Sequence, residues 1–316
     1  MDRELKIFSG GSNPQLTQKI CDYLDIPMGM ATISHFPDGE TFIKLEEDVR
    51  GRDIFVVQSV VHSPNDYLME LLIYLDCIRR ASAQRITAVL PYYGYARQDR
   101  KDEGRTPITA KLVANMLVTA GADRVLTVDL HANQIQGFFD VPLDHLLPER
   151  VFVEHFRQMK LSDLTIVSPD VGSVKRARLY GKHLGGDLAI VDKERLGSAT
   201  VRSGGLIGSV DGRNVIIFDD MISTAGSVAS AAVLLKERGA RDIYVAATHG
   251  ILCGPGPQRL SEAPIEQVVV TDTVPLKACA QELKNLTVLS VAPLVGEAIS
   301  RIHRQESVSS LFMSDA

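Results

Sequence analysis

The sequence predicts an α/β protein built from two similar domains, each a parallel sheet flanked by helices. Three observations predict it. Short β-branched runs alternate with amphipathic stretches along the chain, the runs are apolar almost throughout, and one strand–loop–helix–strand arrangement occurs twice. A strand that is apolar on both faces must be covered on both, and parallel sheets with flanking helices are covered that way.

The strands are read from RDIFVVQSV (52–60), RITAVLPYY (85–93), RVLTVDL (124–130), LTIVSPD (164–170), NVIIFDD (214–220), RDIYVAATHG (241–250) and TVLSVAP (287–293). Amphipathic helices are expected at Tyr67–Ser82, Ile108–Ala120 and Ser227–Arg238. The repeat pairs Arg85–His131 with Asn214–Gly250, and the helix-to-strand joint Gly121-Ala122-Asp123-Arg124 returns as Gly239-Ala240-Arg241-Asp242. The first copy carries a longer loop, YYGYARQDRKDEGRTP. Any two βαβ units share this order, so periodicity alone leaves a true duplication open. The domains are expected at 1–147 and 148–316, joined near Leu146–Glu149. In such sheets, ligands bind outside the carboxyl ends of the strands.

Bulk properties bound the function. With 316 residues, 45% hydrophobic and 23% charged, the chain has the balance of a globular protein with a large core. A net charge of -5 argues against general affinity for nucleic acid or anionic membranes. Cys21, Cys77, Cys253 and Cys279 show neither zinc spacing nor a disulfide framework, which fits a reducing cytoplasm. The N-terminus lacks the apolar run of a signal peptide, and no apolar stretch is long enough for a membrane span.

The most informative segment is VIIFDDMISTAGSVASAAVLL. A β-branched run ends in Asp219 and Asp220, and a loop of small and hydroxyl residues then opens a helix. Such a junction turns backbone amides and the positive helix end outward, toward an anion. Ser223, Thr224 and Ser227 add hydroxyls, Ala225 is small, and Gly226 lets a ligand approach the backbone. Carboxylates at the strand tip suit sugar hydroxyls. Phosphate plus diol describes a ribose phosphate, although a capped helix with an acidic approach reads similarly.

Other segments are ambiguous singly. Arg97, Gln98, Asp99 and Arg100 fit phosphate and purine contacts, or a solvated charged loop. Phe36, Asp38, Gly39 and Glu40 fit an adenine wall or a simple turn. His131 and Asp170 each follow a strand; His131 alone reads more readily as a structural histidine, but the two together could hold a magnesium ion against nucleotide phosphates, a metal that keeps most of its shell as water and substrate oxygen. Lys193 and Arg195 precede the Gly-rich stretch GSATVRSGG, which suggests a lid, or else they are surface cations.

Taken together, DDMISTAGS with FPDGE, PYYGYARQDRK, DLHANQIQGFF, SPDVGSVKRAR and DKERLG resembles, in order and spacing, the class I phosphoribosyl diphosphate synthetases (ribose-phosphate pyrophosphokinases). The likeness runs from SGGSNP to SVSSLF. Phosphoribosyltransferases share only the first motif. The resemblance implies two phosphoribosyltransferase-like domains and transfer of the β,γ-diphosphoryl group of ATP to the C1 hydroxyl of ribose 5-phosphate.

It also implies roles for individual residues. ATP would lie on Phe36, Asp38, Gly39, Glu40, Arg97, Gln98, Asp99 and Arg100, with FPDGE supplied by a neighbouring subunit. Ribose 5-phosphate would lie on Asp219, Asp220, Ser223, Thr224, Ala225, Gly226 and Ser227, with Arg195. Mg²⁺ would be held by His131 and Asp170, the diphosphate by the loop Asp170–Lys175, and the transition state by Lys193 and Arg195. The family further implies a homo-oligomer, a hexamer, with ADP and inorganic phosphate as effectors near Arg50, Ser82 and Ser307–Phe312.

Two positions depart from the family pattern. Ser223 stands where most relatives carry an acid, which puts any general-base role there in doubt. Ser173 replaces a usual glycine, and reduced loop freedom is expected. Two rival readings remain. A non-catalytic regulatory relative would lack groups that are present here, namely His131, Asp170, Lys193 and Arg195. A phosphoribosyltransferase would leave ARQDRK and the repeat unexplained.

Overall fold

The computed structural model describes residues 4–170, 172–195 and 201–313; the side chains of 192–195 and 201–204 lie outside that description. The chain divides into two compact units. The first holds Met1–Pro148, Thr273–Pro275 and Ser290–Ala316, and the second holds Glu149–Asp272 and Leu276–Leu289.

In the first unit the elements are β1 (Leu5–Ser9), α1 (Pro14–Leu24), β2 (Ala31–His35), β3 (Thr41–Leu45), β4 (Asp53–Val57), α2 (Pro64–Arg80), β5 (Arg85–Leu90), α3 (Thr109–Ala120), β6 (Arg124–Val128) and β7 (Leu143–Leu146). Five strands pair in the order β1-β4-β5-β6-β7, all parallel, while β2 and β3 form a separate antiparallel hairpin. Strand β4 shows why its sequence is apolar throughout. Ile54 and Val56 pack with α2 and α3 residues such as Leu71 and Val113, while Phe55 and Val57 pack with Leu16 and Ile20 of α1 on the other face.

The second unit contains α4 (Glu149–Met159), β8 (Leu164–Ser168), α5 (Val174–Leu184), β9 (Asp187–Arg195), β10 (Val201–Ile207), β11 (Asn214–Ile222), α6 (Gly226–Glu237), β12 (Ile243–Gly250), α7 (Gly256–Glu262), β13 (Gln267–Thr271), α8 (Ala278–Gln281) and β14 (Leu286–Leu289). Its sheet runs β10-β9-β8-β11-β12-β13-β14, parallel except where β10 returns against β9. Val215 and Ile217 of β11 face α6, whereas Phe218 stacks on Tyr180 of α5 with ring centroids 3.7 Å apart. That stack anchors the strand immediately before Asp219.

The three helices and six of the seven strands read from the sequence are present; of the seventh, 287–293, only Thr287–Leu289 is strand, and its last two residues begin the next helix. The repeat is β5–α3–β6 against β11–α6–β12, each with its two strands paired side by side in parallel. The matching joints share a backbone requirement: Gly121 and Gly239 both close their helices at positive φ, 127° and 86°.

One boundary differs from expectation. A second domain of 148–316 would contain the last helix, α9 (Ala292–Arg304), but this helix packs in the first unit. Its apolar stripe, Val295, Ala298, Ile299 and Ile302, joins Ile7, Phe55 and Leu126 in one core. Polar contacts secure it as well. Asp53, fully buried, accepts from Arg85 Nε at 2.8 Å and lies 2.8 Å from His303 Nδ1, and Arg85 also donates to the Ile302 carbonyl. Partners 250 residues apart leave no local pattern to read.

Candidate active site

In the second unit, β11 carries Asp219 and Asp220 to the carboxyl end of the sheet, and the chain turns through 223–225 into α6. Ala225 makes the turn in the left-handed region, with φ 57°. Successive carbonyls of this turn are held from one side. Leu252 N–H donates to Ile222 O, Cys253 N–H to Ser223 O, and Arg259 Nη1 to Thr224 O, each at 3.0 Å. A trans peptide directs its N–H opposite to its carbonyl, so the amides of Ser223, Thr224 and Ala225 face the other way. The first helical amides continue that array, because the first bond closing the helix is from Ala229 to Ala225 O. The exposed hydroxyls of Thr224 and Ser227 flank it, while Ser223 Oγ lies 3.3 Å from Cys253 Sγ.

Beside this array lies concentrated negative charge. Asp220 is buried and its amide donates to Asp219 Oδ1 at 2.9 Å. Burial lifts the Asp219 carboxyl well above the usual carboxylate range, and the neighbouring Asp220 and Asp170 charges lift it further. A carboxylate with a raised pKa destabilises the fold at pH values above that pKa. The penalty is absent below the unfolded pKa and grows as pH rises through the window between the ordinary and raised values. Asp219→Asn is therefore expected to raise the melting temperature near neutral pH, with a gain that shrinks toward about pH 4. Scanning fluorimetry across that range checks it; a pH-independent change would contradict the assignment.

Asp170 caps the next loop, where Ser173 N–H donates to its Oδ1 at 3.0 Å and Ser168 Oγ donates to its carbonyl. Ser173 adopts φ -91°, ψ 4°, outside the positive-φ region that favours glycine. Lys193 and Arg195 lie on β9 opposite Ser203 and Val201 of β10, and their side chains fall outside the described residues.

In the first unit, Phe36–Glu40 forms the tip of the β2–β3 hairpin. Phe36 N–H donates to Glu40 O, Gly39 turns at φ 94°, and Glu40 N–H donates to Asp38 Oδ1 at 3.2 Å. Phe36, half exposed, meets Phe42 edge-on. The loop with Arg97–Arg100 is braced at its base by Tyr93 Oη on the Ala110 carbonyl and by the Ala110 amide on Gln98 O. Asp99 accepts from Gln134, Arg100 pairs with Asp102, and Arg97 is exposed. No hydrogen bond or ion pair joins 36–40 to 97–100 among the described residues.

His131 is exposed just beyond β6. The turn before it is fixed by Asp129 at φ 46° and by Leu130 N–H donating to buried His145 Nε2 at 2.8 Å. Gly51, next to Arg50, donates its N–H to Ser82 O at 2.9 Å. Ser307–Phe312 ends in a short helical turn with Phe312 partly exposed.

Sequence reasoning missed Cys253, Gly256, Arg259 and His145. All act through backbone groups distant in sequence, and only the Gly-rich CGPGP segment hinted at a close approach.

Comparison with known proteins shows what the chain is similar to. Residues 5–121 match the family described as the N-terminal domain of ribose phosphate pyrophosphokinase, and residues 199–313 match the phosphoribosyl synthetase-associated domain. The chain is 58% identical over 313 residues to a ribose-phosphate pyrophosphokinase of Rhodopirellula baltica, covering 98% of this chain and 99% of the relative. It is 50% identical to one from Chromobacterium violaceum, covering 98% and 94%. The crystal structure of phosphoribosylpyrophosphate synthetase from Mycobacterium smegmatis superposes with a TM-score of 0.90 at 42% identity, covering 96% of this chain and all of that one.

Proposed function

The chain belongs to the ribose-phosphate pyrophosphokinase family and is a phosphoribosyl diphosphate-forming enzyme, and from that premise we propose how its residues divide the reaction. The observation that carries the proposal is the outward amide array at the head of α6 beside two strand-tip carboxylates. The amides, with Thr224 and Ser227, bind the 5-phosphate, and Asp219 and Asp220 accept the ribose hydroxyls. The C1 oxygen attacks the β-phosphorus of ATP in line. Its bond to phosphorus forms as the bond to the α,β-bridging oxygen breaks, AMP leaves, and the hydroxyl proton passes to solvent. Ser223 is no base at neutral pH, so the chain relies on positioning and charge neutralisation.

Lys193 and Arg195 supply cations to the transferring group. Arg97–Arg100 with Phe36, Asp38, Gly39 and Glu40 bind ATP, the latter set from a neighbouring subunit. Of the donors present, Asp170 offers the hard carboxylate oxygen that magnesium prefers, His131 offers a softer nitrogen, and the Asp219 carboxyl, its pKa raised first by burial and then by the Asp220 and Asp170 charges, adds acidic character beside Asp170. Among the described residues no group of three or more His, Cys, Asp and Glu forms a metal cage, and magnesium requires none. The proposed ligands are Asp170 and His131, and a bound magnesium ion would neutralise triphosphate charge.

We assign the protein to the cytoplasm as a homohexamer, inhibited by ADP and activated by phosphate near Arg50, Ser82 and Ser307–Phe312. No described helix is long and apolar enough to cross a membrane. The test is incubation with MgATP and ribose 5-phosphate. AMP and phosphoribosyl diphosphate should appear in equal amounts, and a chelator should abolish both. Failure to form AMP at any phosphate concentration would favour a regulatory, non-catalytic role.

A further inference from the structure

The loop that receives the 5-phosphate has no cation of its own. From Asp219 to Val228 the chain reads DDMISTAGSV, with two carboxylates and no basic residue. A phosphate monoester brings nearly two further negative charges into this acidic neighbourhood, and amides and hydroxyls meet them only with dipoles. The second unit offers a cation here from a segment outside every motif singled out in the sequence. Arg259, on α7, places Nη1 3.0 Å from Thr224 O and 3.3 Å from where a Cβ on Gly226 would stand. The guanidinium therefore lies against the turn that begins α6.

Its approach is built into the backbone. At Gly256 a Cβ would come within 2.8 Å of Ser223 O, so the start of α7 can seat on the loop only without a side chain. The Cys253 amide already holds that carbonyl. Of the three pinned carbonyls, Ile222 O and Ser223 O are held by backbone donors, and Thr224 O is held by a side chain. Backbone donors survive any substitution except proline, whereas the third contact depends on residue identity. It also sets the peptide whose N–H belongs to Ala225, the residue at φ 57°.

We propose that Arg259 is a positioning and specificity-determining residue for the 5-phosphate. Its guanidinium fixes the Thr224–Ala225 peptide so that the amide faces the ligand, and its charge offsets the loop's carboxylates as the dianion arrives. The proposal rests on the ribose 5-phosphate reading of this loop. Arg259 is solvent-exposed, so its replacement removes no core packing.

The test compares the parent with Arg259→Ala and Arg259→Lys in steady-state kinetics, and by calorimetry with ribose 5-phosphate alone in phosphate-free buffer. Arg259→Ala is expected to raise KM for ribose 5-phosphate by about tenfold, because the Thr224–Ala225 peptide is no longer held in its binding orientation and the nearby positive charge is gone. KM for ATP, kcat and the melting temperature should stay within about twofold or a few degrees of the parent. Lysine keeps a charged donor and should recover most of the affinity. Unchanged ribose 5-phosphate affinity in the alanine variant would overturn the proposal, as would a parallel fall in kcat and both KM values with a lowered melting temperature. If the parent binds ribose 5-phosphate but transfers nothing, the diphosphoryl-transfer reading fails while calorimetry still decides the role of Arg259. If the parent binds none, both fall.

Discussion

Asp53→Ala should cost roughly 3–5 kcal/mol of stability, the penalty for removing one partner of a buried ion pair. Asp53 is fully buried, holds Arg85 through both carboxylate oxygens and meets His303 of α9. Its loss leaves the largely buried guanidinium, among the described residues, with the Ile302 carbonyl alone. Urea denaturation followed by far-UV circular dichroism measures the change. Replacing Arg85 by methionine in the same chain should recover part of the loss, because the stranded cation is then gone. A loss below about 1 kcal/mol would place the pair among surface ion pairs.

The largest effect on activity is expected at Lys193. If it neutralises charge on the transferring group, Lys193→Ala should lower kcat by about 10²–10³-fold, with KM for ribose 5-phosphate little changed. Such a pattern marks an interaction made mainly in the transition state. Single-turnover formation of AMP by rapid quench reads the chemical step directly. Full turnover in the variant would remove the lysine from the mechanism and leave catalysis to positioning by the loops.

Much of this architecture was legible because it is written locally. The strands β4, β5, β6, β8, β11 and β12 are apolar on both faces, so each announces a covered sheet within a few residues. The strand–loop–helix junction at 219–227 was legible because a β-branched run, a stretch of small and hydroxyl residues and an apolar helical pattern follow one another directly. What stayed hidden is non-local. The amphipathic pattern of 292–304 permits a helix without saying which sheet it covers. Arg259 reaches a carbonyl 35 residues away, and backbone carbonyls have no sequence signature. His145 likewise meets an amide, that of Leu130, which any residue but proline would supply. The hairpin β2–β3 was missed because its strands are half exposed and mixed in character, and its tip reads first as a turn.

The placement of α9 has a consequence for how the chain is made. During synthesis β1, β4, β5 and β6 emerge early and can pair, but one flank of that sheet is closed by Val295, Ala298, Ile299 and Ile302. Until the ribosome has delivered those residues, Ile7, Phe55, Leu126 and Leu146 keep part of their apolar surface in water. At roughly 5–20 residues per second, the whole second unit is translated while the first waits, open on one side. The half of the protein that is born first is thus finished last, and a nascent chain stalled before α9 would present a sticky surface to chaperones.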